Sequence, residues 1–145
     1  MNTEQLITKL RKNGHKVTPQ RIAICEEVLS SNEHPTAEVI FEKVSKRYPA
    51  ISMTTVYHTL ELLQKLKLVQ EIRFDNRVTR YDSNTSVHVN IICQNCGKIS
   101  DYESDVIQKQ WNRIVSEIGV DPVGQRLDAY VICEECKGQL SHMTT

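Results

Sequence analysis

Apolar positions in the first half of the chain recur at helical spacing and then change to a strand-like alternation. Residues 3–13 place Leu6, Ile7 and Leu10 on one face, and Gly14 ends the run. Thr18 reads as an N-cap with Pro19 at the first helical position, and Ile22, Cys25, Val28 and Leu29 continue as a buried stripe. A third helix begins near Thr36, after Pro35, and buries Ile40, Phe41 and Val44. Ser52 caps a fourth that runs to about Leu66. On this last helix Val56, Leu60 and Leu63 face a core, while Thr54, His58, Glu61 and Lys65 line a polar side. Strand-like stretches at 68–74 and 77–82, joined by Asp75-Asn76, read as a β-hairpin. Helices followed directly by a hairpin describe a winged helix-turn-helix, with the fourth helix placed to read base edges.

The second half alternates differently. Residues 87–93 and 98–102 read as strands and 125–133 as a third. Between them residues 104–118 read as a helix with Ile107, Trp111, Ile114, Val115 and Ile118 on one face, ended by Gly119. An α/β unit of this size is small for an independent core. A metal, a second copy of the chain, or both would support it.

Composition adds three constraints. Apolar residues make up 39% of the 145, enough for packed cores. The longest apolar run, Ala129 to Cys133, is too short to span a bilayer, and the N-terminus lacks a basic and then apolar leader. A cytosolic protein with reduced thiols and no membrane partner is therefore expected. Net charge is zero, but residues 1–82 hold 13 Lys and Arg against 10 Asp and Glu, and residues 83–145 hold 5 against 8. The basic excess falls on the half with the helix-turn-helix pattern, as phosphate contact requires. Arg73, Arg77 and Arg80 would give the hairpin a basic surface.

Two constellations carry chemistry. Cys93-x-x-Cys96 and Cys133-x-x-Cys136 form two knuckles, and four thiolates suit a structural zinc ion closed to substrate. Gly97 allows the backbone to wrap such an ion. The alternative is two redox dithiols or isolated core cysteines. Neither pair is expected to open a helix after a strand, which argues against a thiol–disulfide enzyme. Cys25 reads as a core residue. The second constellation is dispersed: His34, Asp82, the pair His88 and Asn90 on one strand face, and Asp101. Imidazoles and carboxylates without thiolate suit Fe2+ or Mn2+, while singly each residue reads as an ordinary polar surface group. No acid/base pair, nucleophile motif or phosphate-binding glycine loop supports catalysis, so no enzyme is expected.

Several stretches together resemble the ferric uptake regulator family, and most closely its peroxide-stress branch. They are Val17-Thr18-Pro19-Gln20-Arg21, His34-Pro35-Thr36-Ala37, Thr55-Val56-Tyr57, Arg80-Tyr81-Asp82, His88-Val89-Asn90, Cys93-Gln94-Asn95-Cys96-Gly97-Lys98 and Cys133-Glu134-Glu135-Cys136. The resemblance implies an α+β chain with a winged-helix DNA-binding domain over 1–82 and a small α/β dimerisation domain with a four-cysteine zinc site over 83–145. It implies a homodimeric, metal-dependent repressor of operator DNA. Zn2+ would sit at Cys93, Cys96, Cys133 and Cys136, and a regulatory Fe2+ or Mn2+ at His34, Asp82, His88, Asn90 and Asp101. Asn90 departs from the His usual at that place, as some peroxide-sensing members do. Gln125 stands where iron-uptake members often carry a His, so no additional metal site is expected there. Lys16 and Tyr57 match DNA-contacting positions of the family, and Arg21, Thr54, Thr55, His58, Arg73 and Arg77 complete the set of DNA candidates. Peroxide would act through oxidation of His34 and His88.

Three other readings stay open at this point. One is an iron- or zinc-availability sensor of the same family. Another is a zinc-ribbon interaction module, and the third a thiol–disulfide redox protein.

Overall fold

The computed structural model describes residues 1–73 and 78–143. The chain forms two compact units, Met1–Thr85 and Ser86–Thr145, dividing slightly beyond the break read from the sequence at residue 82.

The first unit begins with helices α1 (Thr3–Lys12), α2 (Pro19–Ser30), α3 (Ala37–Ser45) and α4 (Met53–Lys65). Each is started by a side chain that accepts from an otherwise orphaned backbone N–H: Asn2, Thr18, Thr36 and Ser52 in turn. Asn2 does so in a reciprocal box with Gln5. Gly14, with φ +74°, turns the chain out of α1. Strands β1 (Gln70–Ile72) and β2 (Arg80–Asp82) then pair antiparallel, with Glu71 opposite Tyr81. Both strands are shorter than the sequence pattern implied, and the connecting Asp75-Asn76 turn lies outside the described residues.

Leu6, Leu10, Ile24, Cys25, Val28, Ile40, Val44, Val56, Leu60 and Leu63 meet in one continuous core with Val69 and Tyr81. Each large side chain removed from water there contributes roughly 1.5–3 kcal/mol before entropy is charged against it. The buried stripe of α2 differs from expectation. Ile24 is fully enclosed, while Ile22 and Leu29 are only half-buried, as is Phe41 on α3. The inward face of α2 is centred nearer Ile24–Cys25–Val28, because α3 and α4 both pack against it.

The second unit is a three-stranded sheet in the order β4-β3-β5, from β3 (Val89–Cys93), β4 (Ile99–Tyr102) and β5 (Leu127–Val131). β3 and β4 are an antiparallel hairpin, and β3 and β5 are parallel. The parallel pairing needs a crossover, which α5 (Asp105–Ile118) supplies. Ser104 caps α5, and Gly119 leaves it with φ +67°. No residue of α5 is buried: Ile114 and Ile118 on its apolar face are 45% and 53% exposed. A helix not read from the sequence, α6 (Glu134–Met143), closes the unit. No helix among the described residues is long and apolar enough to cross a membrane.

Candidate metal centres

Parallel strands finish on the same side of a sheet, and this brings the two knuckles together. Cys93 is the last residue of β3, and Cys133 follows the end of β5 beside it. The Gln94 N–H donates to the Val131 carbonyl at 2.9 Å, fixing the two strand ends in register. A tight turn returns through Gly97, at φ +79°, whose N–H donates to the Cys93 carbonyl at 2.9 Å. Cys136 lies one turn into α6 and is buried.

The four sulfurs lie within 4.8 Å of one another, and Cys96 Sγ stands 3.8 Å from Cys133 Sγ. A tetrahedron with metal–sulfur bonds of about 2.3 Å has edges of about 3.8 Å, whereas a disulfide needs about 2.05 Å. The Cys133 backbone N–H, 3.4 Å from Cys93 Sγ, leads the contacts that hold the Cys93 thiol well below its ordinary range, at about 6. A hydrogen bond with Asn95 lowers the Cys136 thiol, but contacts with Cys133 and the other sulfurs outweigh it and push Cys136 up to about 12. The four sulfurs thus share charge that a soft or borderline cation would stabilise as thiolates.

One expectation is overturned here. Cys133-x-x-Cys136 does open a helix after a strand: β5 ends at Val131 and α6 begins at Glu134, with the Lys137 N–H donating back to the Cys133 carbonyl at 2.9 Å. The sequence hid this helix because Glu134–Met143 shows no apolar stripe and contains Gly138.

Within each unit, part of the dispersed constellation comes together. In the first, His34 precedes Pro35 with φ +52°, an uncommon left-handed conformation that costs on the order of 1–3 kcal/mol. The surroundings impose it. The Tyr81 N–H donates to the Pro35 carbonyl at 2.9 Å, and the Arg80 guanidinium reaches the His34 carbonyl at 3.4 Å. These bonds tie the His34 loop to β2, whose last residue is Asp82. His34 Nε2 stands 3.5 Å from Asp82 Oδ2, and both side chains are buried. The Asn84 N–H donates to Asp82 Oδ1 at 2.8 Å and orients the carboxylate.

In the second unit His88, Asn90 and Asp101 converge. Asn90 is opposite Asp101 in the β3–β4 ladder, and His88 lies two residues earlier, just before β3 begins at Val89. His88 Nδ1 is 2.7 Å from the Ser86 carbonyl, which can only accept, so Nδ1 carries a proton. In the neutral ring Nε2 then presents a lone pair. It lies 3.1 Å from Asn90 Oδ1 and 3.7 Å from an Asp101 oxygen. Three electron-pair donors face one another, an arrangement that a cation or a proton on Nε2 stabilises. A ligating His commonly donates its other N–H to a carbonyl, as His88 does. The nitrogen–oxygen donor set fits Fe2+ or Mn2+ better than a soft ion.

Among the DNA candidates, Lys16, Thr54, Tyr57 and His58 are exposed. Tyr57 donates its hydroxyl to Glu38 at 3.1 Å. Thr55 is occupied in the cap of α4, with Oγ1 2.9 Å from Ser52 Oγ. Arg21 donates to the Lys16 carbonyl at 2.7 Å, bracing the turn before α2. Arg73 bonds Thr79 and Glu71 within the hairpin. Arg77 lies outside the described residues. Asp128, which no spacing in the sequence pointed to, accepts from the Asn90 amide at 3.1 Å.

A winged-helix unit joined to a sheet unit with a four-thiolate cage and His/Asp groups defines a metal-binding regulator. A sequence profile described as the ferric uptake regulator family matches residues 12–130. The peroxide-responsive repressor PerR of Staphylococcus epidermidis is 36% identical over 134 residues, covering 92% of this chain and 89% of that protein. Among solved structures, the Helicobacter pylori ferric uptake regulator Fur, described with three functional metal-binding sites, superposes with a TM-score of 0.76. It is 26% identical over 92% of this chain and 90% of that one. The Campylobacter jejuni peroxide stress regulator superposes at 0.70, with 32% identity over 94% of this chain and 100% of that one. The chain belongs to the ferric uptake regulator family, a family of metal-responsive regulators.

Proposed function

We propose that the chain is a metal-dependent, peroxide-responsive repressor that binds operator DNA as a homodimer. The observation that carries the reading is the division of ligands. His34 and Asp82 belong to one compact unit, and His88, Asn90 and Asp101 to the other. Neither group alone fills the coordination sphere of a divalent ion. His34 and Asp82 would bind the same Fe2+ or Mn2+ as His88, Asn90 and Asp101, and so favour the conformer in which the units are docked. With free metal at about 100 times Kd the bias is roughly 2.7 kcal/mol, or about a hundredfold in population.

Zn2+ at Cys93, Cys96, Cys133 and Cys136 would hold the second unit together. The exposed apolar face of α5 and the outer edge of β5, where Tyr130 is 55% exposed, support self-association. α4 would enter the major groove with Thr54, Tyr57 and His58, while Lys16 and Arg73 reach phosphates and Arg21 braces Lys16. Fe2+, when bound, supplies one-electron chemistry with peroxide. The imidazoles of His34 and His88 are then the groups exposed to oxidation, and loss of either weakens the ligand set. The relationship to PerR of Staphylococcus epidermidis supports this signal over iron or zinc availability.

Fluorescence anisotropy on an operator-like AT-rich duplex tests the reading. Binding is expected to require Mn2+, to weaken steeply with salt, and to be lost in His88→Ala. Binding indifferent to a chelator that spares the zinc would remove the regulatory ion from the account. Intact-mass spectrometry of the iron form after peroxide should show oxygen added at His34 or His88.

A thiol–disulfide reading gains support from the helix that Cys133 opens. Against it, four sulfurs converge where an exchange site needs two. About one zinc per chain, with thiols inert to alkylation until chelation, would exclude it.

A further inference from the structure

The role of Asn90 depends on which end of its carboxamide faces His88. The oxygen can serve a cation, whereas the amino end would turn N–H groups toward it. The choice is made from behind. β3 and β5 run parallel with Asn90 opposite Asp128, and Asn90 Nδ2 donates to Asp128 Oδ1 at 3.1 Å. Arg126 grips Asp128 in turn, with Nε donating to Oδ1 at 3.1 Å and a guanidinium nitrogen 2.8 Å from Oδ2. An ionised carboxylate accepts and cannot donate. It therefore takes the amino end of Asn90 and leaves Oδ1 on the opposite side, 3.1 Å from His88 Nε2. Reversing the amide would set oxygen against oxygen and break a hydrogen bond to a side chain that is 3% exposed.

We propose that Asp128, held by Arg126, is a positioning residue that locks the Asn90 carboxamide oxygen-first toward His88 and Asp101, making Asn90 a direct oxygen ligand for a hard divalent ion such as Mn2+. The proposal rests on the metal reading of His88 and Asp101 given above. Asp128 also draws electron density toward the Asn90 oxygen through the amino group it accepts from, which strengthens a weak neutral donor.

Mn2+ titration followed by electron paramagnetic resonance, on the full zinc-loaded chain, tests this. Asp128→Ala is expected to weaken Mn2+ binding about ten- to a hundredfold while zinc content stays at about one per chain. Asn90→Ala should weaken it comparably. The double variant should be no weaker than Asn90→Ala alone, because Asp128 acts only through Asn90. Losses that multiply in the double variant would overturn the proposal. So would an Asp128→Ala affinity within about twofold of the unaltered chain while His88→Ala abolishes binding, a result that leaves the metal reading standing. Unchanged affinity in His88→Ala would remove the metal reading and this proposal together. If Asp128→Ala does not fold, hydrogen exchange of the Asn90 side-chain amide in the unaltered protein decides. One of its two protons is expected to be protected, and equal, water-like exchange of both would overturn the proposal.

Discussion

The two units reach order by different means. In the first, four capped helices and a hairpin strand enclose a continuous apolar core from Leu6 to Tyr81. In the second, the buried residues among those described are Ile92, Cys93 and Cys136 with His88 and Asn90. Four of those five are candidate ligands, and its one long helix, α5, encloses no side chain fully, with Ile107, Trp111 and Val115 only half-buried. The first unit is thus held by the hydrophobic effect. The second leaves its stability to what the thiolates bind and to what covers α5.

The largest expected effect breaks this contrast at the cage. Structural zinc contributes on the order of 10 kcal/mol to the folding of small metal domains. Chelation, or Cys96→Ser, is expected to release the amides of β3, β4 and β5 to fast hydrogen exchange while α2, α3 and α4 stay protected. Equal loss in both units would show that they fold as one. Retained protection in the sheet would show that the cage is dispensable.

Next come paired truncations. Leu60→Ala in the first unit should cost about 2–5 kcal/mol in urea unfolding, because the cavity lies in a closed core. Ile118→Ala in α5 should change stability by less than about 0.5 kcal/mol in the monomer, since its side chain is half exposed. Its effect should appear in sedimentation as weakened dimerisation. A large monomer cost at Ile118 would mean that α5 is covered within its own chain.

The thiols of the two units are perturbed by different causes, desolvation in the first and mutual contacts of the cage in the second. Burial pushes the Cys25 thiol up from 9.0 to about 12, whereas in the cage the hydrogen bond from the Cys133 backbone draws Cys93 down to about 6. At Cys136 a lowering hydrogen bond with Asn95 is outweighed by the crowding sulfurs, led by Cys133, which push it up to about 12. For Cys25 the folded chain keeps a proton that the unfolded chain loses above about pH 9. Its stabilising contribution is therefore complete below pH 9 and declines as pH rises toward 12, by at most roughly 1.4 kcal/mol per unit. Tyr81, raised by burial to about 12, adds a slope of the same sign from its ordinary value near 10. Cys25→Ala should flatten the fall in the urea midpoint between pH 9 and 11. An unchanged slope would leave Tyr81 as its main source.

The same contrast explains how much was legible in the chain. Thr18, Thr36 and Ser52 announce their helices because capping is a local hydrogen bond written within three residues. The knuckles were legible for the same reason. α6 was not, because its helix is read from tertiary placement after β5 rather than from an apolar stripe. Asp128 was invisible because its partner Asn90 lies 38 residues away, brought opposite by a parallel register that no local pattern encodes. The centring of the α2 stripe on Ile24 likewise depends on two helices packing against it at once.

The smallest predicted effect sharpens the comparison through one substitution made twice. Ser52 accepts from the Thr55 N–H at 3.1 Å at the start of α4, and Ser104 accepts from the Val106 N–H at 3.2 Å at the start of α5. Either Ser→Ala change removes one cap bond, at about 1 kcal/mol. α4 carries Val56, Leu60 and Leu63 into the core, so its first turn is coupled to the whole first unit. Ser52→Ala should therefore lower the global urea midpoint by nearly the full amount. α5 encloses no side chain fully, and Asp105 and Val106 at its start are exposed, so its first turn can fray without disturbing the sheet. Ser104→Ala should accelerate amide exchange locally, near residues 106–108, and leave the global midpoint within about 0.3 kcal/mol. Equal global shifts from the two variants would mean that α5 is packed as firmly as α4, and that the second unit has a core of its own.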